Sequence, residues 1–390
     1  MKLSHRIKHI LGDGSDGWGV FYKARDMVQQ GIDVVELTIG EHDILTDPLI
    51  LSEMNRSAMH GNTGYAAIPG IHALRCAVAK RVMQETGVAT TFENVLITPG
   101  GQSALFAAHM AACNPGDTAL FIDPYYVTYP GTIRAASALP CAVAASSSKG
   151  FQPSASDIAP MASGASSLLI NSPNNPTGVV YSRETLNEIA QVCIENDLWL
   201  ISDEVYDTQI WEGAHISPRS LEGMGDRTFV VGSMSKSHAM TGSRIGWLIG
   251  PKDAISHLSD FSTHTTYGVA GFIQQAALFA LEQGKDFEAT IADPFRRRRD
   301  IAVGIVGRSN AIGLIPTKGA MYVMLDIRAT GLSGEGFADK LLDDHHIAVM
   351  PGEGFGDAAA GHIRVALTVD DDRLSEALHT LVVFAEGHVK

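Results

Sequence analysis

Read as a pattern of apolar and polar positions, the chain changes character near residue 94. Before that point apolar residues recur mostly at helical spacing. Residues 1 to about 30 read as partly helical, Pro48 to His60 as a helix and His72 to Thr86 as another, with one short strand, Val34 to Gly40, that closes on glycine. After it, short apolar runs at Val95–Thr98, Thr118–Ile122, Pro140–Ala144, Ser167–Ile170, Trp199–Ser202, Phe229–Gly232 and Gly246–Ile249 alternate with helical stretches such as Ser103–Cys113, Val127–Ala138 and Arg183–Asn196. Apolar strands that alternate with helices predict an α/β fold: a mainly parallel, seven-stranded sheet flanked by helices. Two further helices (about Gly271 to Glu282 and about 286 to 306) lead into Met321–Asp326, a helix near Gly334–Asp344, Ile347–Val349, Ile363–Ala366 and a last helix. That mixed series predicts a smaller α+β domain.

Ligands of such sheets bind beyond the carboxyl ends of the strands. Gly100-Gly101-Gln102, Asp123 to Tyr126, Asn171 to Gly178, Asp203 to Tyr206 and Ser233 to Lys236 each follow a predicted strand. The central stretch is Val230 to Arg244, where Lys236 stands alone among hydroxyl side chains and Arg244 follows eight positions later. An ordinary lysine has a pKa of about 10.4. Desolvation or a nearby cation leaves the amine neutral and able to form a Schiff base with an aldehyde. Ser233, Ser235 and the fork of Arg244 suit a phosphate. An aldehyde bearing a phosphate describes pyridoxal phosphate.

The other strand ends agree, each with a plainer alternative. The amides after Gly100 at a helix start suit a phosphate, or form only a tight turn. Asp203 suits a protonated pyridine nitrogen, or a helix N-cap. Tyr206 suits the ring's phenolic oxygen, or packs. Asn171 to Gly178 is dense in turn formers, and its two X-Pro bonds raise the chance of a cis peptide. Arg364 lies in an apolar strand and needs an anion, either a substrate carboxylate or a structural Asp or Glu.

Composition narrows the class. At about 100–200 residues per domain, 390 residues make two or three domains, and 45% hydrophobic with 18% charged residues is ordinary for a globular chain. A net charge of −14 argues against nucleic acid or an anionic membrane as partner. The one dense basic run, Arg296 to Arg299, reads as a solvated helix face. Four cysteines, widely spaced, form no metal or redox pair and fit a reducing compartment. The N-terminus lacks a signal-peptide pattern, and no apolar run approaches the roughly 20 residues of a membrane span, so a cytoplasmic protein is expected. Gly12 to Gly17 matches the dinucleotide-binding G-x-G-x-x-G pattern but follows no convincing strand, and reads as a loop. Ala/Ser-rich residues 142–167 read as a surface excursion.

Together Asn171–Gly178, Ser202–Tyr206 and Ser233–Arg244, in this order and spacing, resemble the class I/II (aspartate-aminotransferase-like) family of fold-type I pyridoxal-phosphate enzymes. The resemblance runs from about Val35 to the C-terminal helix. It implies an N-terminal segment (1–45) joining a small domain (286–390), and a large cofactor-binding domain (46–285). It further implies that Lys236 carries the cofactor as a Schiff base and moves the proton from the substrate Cα. Asp203 would pair with the pyridine nitrogen, Asn175 and Tyr206 would bind the ring oxygen, and Tyr126 would stack where relatives often have tryptophan. Ser233, Ser235, Arg244, Gly101 and Gln102 would hold the phosphate. Tyr65 would reach the phosphate of a neighbouring subunit, implying a homodimer. Arg364, Asn175 and Gly40 would bind the substrate, with Trp18, His264, Tyr267 and Tyr322 around its side chain. After Gly40 the family often has Glu-Pro-Asp; here the chain has Glu41-His42-Asp43, and His42 reads as an exposed loop histidine or as a pocket-edge residue that alters substrate choice.

The function implied is transfer of an amino group from an L-amino acid to a 2-oxo acid, pyruvate or 2-oxoglutarate. Gly12 to Tyr22, Ser233 to Gly242 and Asp326 to Ser333 are similar to arginine:pyruvate transaminases, a likeness that leaves the donor open. A pyridoxal-phosphate C–S lyase would use the same lysine. A non-catalytic sensing module would need a helix-turn-helix domain, and only about 35 residues precede the first strand. No metal site is expected.

Overall fold

A computed structural model describes residues 1–12 and 18–389. Most of the Gly12–Gly17 pattern therefore lies outside the described residues. Among the described residues twelve strands form two sheets: β1 (Val35–Leu37), β2 (Val95–Thr98), β3 (Thr118–Asp123), β4 (Leu139–Ala144), β5 (Ala165–Asn171), β6 (Trp199–Asp203), β7 (Thr228–Ser233), β8 (Gly246–Ile249), β9 (Gly313–Leu314), β10 (Tyr322–Asp326), β11 (Ile347–Pro351) and β12 (His362–Ala366). The large sheet has seven strands in the order β2-β8-β7-β6-β5-β3-β4. β4, β3, β5, β6 and β7 run parallel; β8 is antiparallel to both β7 and β2. β2, β8 and β7 are buried along their whole length, and β6 and β5 in all but their first residues, because helices cover both faces.

On one face the helix Gly101–Ala112 packs with Ile255 and Leu258 against Leu169, Ile201 and Val231. On the other, Ile158, Leu186 and Ile189 pack against Leu168, Ile170 and Leu200. The second sheet has the order β1-β11-β12-β10-β9. β1 pairs parallel to β11 with Val35 opposite Ile347, so the first strand is completed by residues more than three hundred positions later. Phe337, Leu341, Leu374 and Leu378 fill the core behind this sheet.

Three sequence expectations change. The helix expected over Val127–Ala138 is Tyr129–Ala135, because Pro130 has no N–H to give and fits only the first helical turn. Residues 142–167 are no mere surface excursion. They contain the helix Ala155–Ala162, opened by a Ser154–Asp157 capping box, and bury Ile158 and Ala162 in the core. Arg296–Arg299 is a solvated face only in part: Arg296 and Arg297 are exposed, Arg298 is buried, and all four are tied down. Arg296 donates to the carbonyls of Ile210 and Trp211, Arg297 pairs with Asp371, and Arg299 pairs with Glu212. Arg298, only 4% exposed, forks onto Asp43 at 2.9 and 2.6 Å and reaches Asp371 at 3.2 Å. The long helix Gly284–Val306 that carries the run is thus tied to the N-terminal segment and the C-terminal helix at once.

Candidate active site

The residues at the carboxyl ends of the large sheet converge on one cavity of about 280 Å³, closed on its far side by β10 and β12. β7 ends at Ser233, whose hydroxyl accepts from the Ser235 N–H at 3.1 Å and so starts the short helix Met234–Ser237. This turn aims Lys236 inward. Its ammonium donates to the Gly40 carbonyl. Burial lowers the Lys236 pKa to about 8; Glu41 opposes this, and the charges of Arg364 and Arg244 add to it. The amine is therefore far readier than an ordinary lysine to act as a nucleophile near neutral pH.

Asp203 ends β6 and is buried, 4% exposed. Tyr129 donates its hydroxyl to Oδ2 at 2.7 Å, yet burial still pushes the carboxyl up to about 6. Tyr129 is the site residue that sequence reasoning missed: a tyrosine before a proline carries no signal beyond packing. Asn171 ends β5 and shapes the next loop. Its Oδ1 accepts from the Asn175 N–H at 2.7 Å and its Nδ2 donates to the Asp203 carbonyl at 2.9 Å. The Ser172–Pro173 bond in this loop is cis, as is Asp123–Pro124.

Asn175 in turn accepts from Arg364 Nη1 at 2.8 Å. Arg364 is 3% exposed and lies between the rings of Tyr322 and Phe355, 4.5 and 4.4 Å from their centroids. A second nitrogen donates to the Thr38 carbonyl, and Nε has no partner. Among the described residues no carboxylate pairs with it, so of the two sequence readings the structural Asp or Glu is absent. Tyr322 joins the set: its hydroxyl lies 3.0 Å from that of Tyr206, and a Cβ on Gly40 would overlap it. Only glycine fits at position 40.

The phosphate-like cradle lies opposite. Gly100 has φ +78° and turns β2 into the helix Gly101–Ala112, leaving the amides of that first turn open. A Cβ at Gly100 would overlap the Arg244 guanidinium, so this glycine lets the arginine lie against the helix start. Gly101, Gln102, Ser233, Ser235 and Arg244 line the same cavity as Lys236, with Tyr126 and Trp18 at its edges.

The other expected residues fall differently. Tyr65 is 91% exposed and meets Tyr267 edge-on, centroids 5.0 Å apart, away from this cavity. His264 and Tyr267 do not line it either. His42 is not an exposed loop residue: it is half-buried, and Nε2 lies 3.0 Å from the Lys236 carbonyl.

These residues fit pyridoxal phosphate. A buried carboxyl pushed towards protonation suits a cation such as a pyridinium, the open amides with Arg244 suit a phosphate, and a lysine of lowered pKa lines the same cavity. Among the described residues no group of histidine, cysteine and acidic side chains could hold a metal ion.

Comparison with known proteins points the same way. An arginine–pyruvate transaminase of Pseudomonas aeruginosa is 39% identical over 386 residues, covering 99% of this chain and 98% of that one. An aspartate/prephenate aminotransferase of Thermus thermophilus is 35% identical over 362 residues, 91% of this chain and 92% of that one. The solved aspartate aminotransferase of Thermus thermophilus with maleate superposes with a TM-score of 0.91 at 33% identity, covering 98% of this chain and all of that one. The family described as Aminotransferase class I and II matches residues 32–381. The chain belongs to that family, and it is a pyridoxal-phosphate-dependent aminotransferase of the aspartate-aminotransferase-like fold.

Proposed function

We propose that Lys236 is the amine that carries the cofactor, and that the cavity around it moves an amino group from an L-amino acid to pyruvate or 2-oxoglutarate. The observation that carries this reading is Arg364: a buried guanidinium with no carboxylate partner among the described residues, opening on the same cavity as the softened lysine. It suits the α-carboxylate that an amino acid and a 2-oxo acid share.

Bound there, pyridoxal phosphate supplies an electron sink that makes the substrate's Cα–H acidic. Asp203, held by Tyr129, would keep negative charge at the pyridine nitrogen. Asn175 and Tyr206 would hold the ring oxygen, and Tyr126 would cover the ring face. The amides of Gly101 and Gln102, with Ser233, Ser235 and Arg244, hold the phosphate. Arg364, Asn175 and the Gly40 backbone orient the carboxylate, with Trp18 at the side-chain end. Lys236 Nζ, whose pKa burial lowers to about 8, would be the group that takes the proton from the substrate Cα.

Several features bear on assembly and place. The exposed pair Tyr65 and Tyr267 suits a homodimer in which Tyr65 reaches the partner's phosphate. The β1–β11 pairing supports a division into an N-terminal segment (1–45) and small domain (286–390) around a large domain (46–285). Among the described residues no helix is long and apolar enough to cross a membrane, and all four cysteines are free; both suit a cytoplasmic enzyme.

The test is to add amino acids one at a time, without acceptor, to the cofactor-loaded protein, with arginine, aspartate, alanine and the aromatics first. One equivalent of 2-oxo acid, with loss of the visible band, supports the reading and names the donor. Ammonia released over many turnovers would instead mark a lyase. Lys236→Ala must abolish the band and the transfer together; near wild-type transfer would refute the role of Lys236.

A further inference from the structure

Residues 40–46 run alongside residues 236–241. The Thr241 hydroxyl donates to Glu41 Oε1 at 3.3 Å, and the Thr46 hydroxyl donates to the Ala239 carbonyl at 2.6 Å. Lys236 touches this segment at both of its ends. Nζ donates to the Gly40 carbonyl, and its backbone carbonyl meets His42 Nε2 at 3.0 Å. That carbonyl stands in the last turn of the four-residue helix Met234–Ser237, where carbonyls lack a partner one turn on.

A carbonyl can only accept, so Nε2 is the protonated nitrogen of His42. The ring is neutral at physiological pH. Burial, then the charge of Lys236, lowers its pKa to about 4; the bond to the Lys236 carbonyl and Asp43 oppose this, and Arg298 adds to it. Nδ1 is buried without a partner, and the ring stands edge-on to Phe295, centroids 5.2 Å apart. The packing against the long helix Gly284–Val306 thus fixes the ring plane, and among the described residues the bond to Lys236 is its one polar contact. A proline at this position has no side-chain donor and leaves that carbonyl bare.

We propose that His42 is a positioning residue for Lys236: its Nε2–H holds the lysine backbone against the Gly40 segment, so that Nζ stays between the carboxylate site and the cofactor site and out of water. This rests on the reading of Lys236 as the reactive amine. Without the bond the short helix is free to shift, Nζ regains water, and its proton is held more tightly. Glu41, Arg364 and Arg244 are the other charged groups that face Nζ, and substitution at position 42 leaves them in place.

The experiment follows modification of Lys236 by an amine-reactive reagent against pH in the cofactor-free protein, read by peptide mass, with the pH midpoint of the visible band recorded after loading. In His42→Phe, which fills the space without a donor, the modification profile moves to higher pH, with labelling about tenfold slower at neutral pH, a shift of about one unit. The band midpoint moves as well. In His42→Gln, whose amide takes the place of Nε2–H, both follow the wild type. A His42→Phe profile superimposed on the wild type would overturn the proposal. So would a His42→Gln profile displaced as far as that of His42→Phe, because ring packing alone would then account for it. If His42→Phe does not fold, His42→Asn replaces it: its amide stops short of the carbonyl, and an undisplaced profile overturns the proposal. A wild-type protein that forms no visible band with pyridoxal phosphate would defeat the proposed function itself; a normal band with profiles indifferent to residue 42 defeats only the role of His42.

Discussion

The Tyr129 hydroxyl donates to Asp203 Oδ2 at 2.7 Å, with both side chains buried. Among the described residues the other carboxylate oxygen has only the Val205 N–H, at 3.4 Å. Burial outweighs both bonds, and the neighbouring Glu204 adds to it, so the carboxyl sits at about 6. Tyr129→Phe removes the short bond that favours the ionised form. The affinity of the cofactor-free protein for pyridoxal phosphate should fall about tenfold, the low end of what a hydrogen bond to a charged group contributes (~1.5 kcal/mol). Titration of the visible band measures it. An unchanged affinity would mean that Asp203 needs no help from Tyr129 to stay charged against the ring.

Tyr129 carries no signal in the sequence for a physical reason. The strands were legible because burial on both faces forces continuous apolar runs, and the strand-end loops because they need glycine, proline and asparagine. Lys236, Asp203, Asn175 and Arg364 stood out as polar residues in apolar or turn-rich settings. Tyr129 gave no such contrast, and its partner lies 74 positions away. The same holds for Arg298, whose partners Asp43 and Asp371 are 255 and 73 positions away, so a run of four basic residues looked like a wet face. His42 looked exposed because nothing local shows that the Lys236 turn covers it. Pairings between distant elements are the part of the fold that periodicity does not encode.

Arg364 gives a prediction about substrates. Its fork contacts Asn175 and the Thr38 carbonyl and keeps Nε free. Arg364→Lys retains the charge and loses the fork. Losing one or two charge-assisted hydrogen bonds should lower kcat/KM by about 10²-fold, for the amino acid and the 2-oxo acid alike. A primary amine without a carboxylate, reacting slowly with both proteins, should show no such difference. Equal losses for the amine and the amino acid would indicate a distorted site rather than a lost carboxylate contact.

Arg298 gives a prediction about stability. Arg298→Met keeps much of the buried stem but strips Asp43 and Asp371 of a buried partner. Both carboxylates keep over a quarter of their side-chain surface exposed, 27% and 29%, so they recover water rather than remain as bare buried charges. The expected cost is therefore about 1–3 kcal/mol, below that of breaking a fully buried pair. Urea denaturation of the cofactor-free protein checks it. Asp43 is next to His42, so the variant should also raise the KM for amino acids modestly. A loss of stability with no change in KM would separate the helix anchor from the site.

His109 gives a prediction about pH. It lies inside the helix Gly101–Ala112 with no exposure, and neither ring nitrogen has a hydrogen-bond partner. Burial lowers its pKa to about 4, against about 6.5 in an unfolded chain. Between those values the unfolded chain binds a proton that the folded protein refuses. Stability from this group is thus present above pH 6.5 and is lost as pH falls through 4, by on the order of 3 kcal/mol in full. His109→Leu removes both the titration and the two unsatisfied nitrogens. It should be more stable than the wild type by about 1–2 kcal/mol at pH 7, and the gap should widen by a further ~2 kcal/mol at pH 5. Other depressed histidines, His42 and His238, shift both proteins alike and cancel in the difference. Urea midpoints at the two pH values measure the gap. A gap that stays constant with pH would show that His109 takes up its proton in the folded protein as readily as in the unfolded chain.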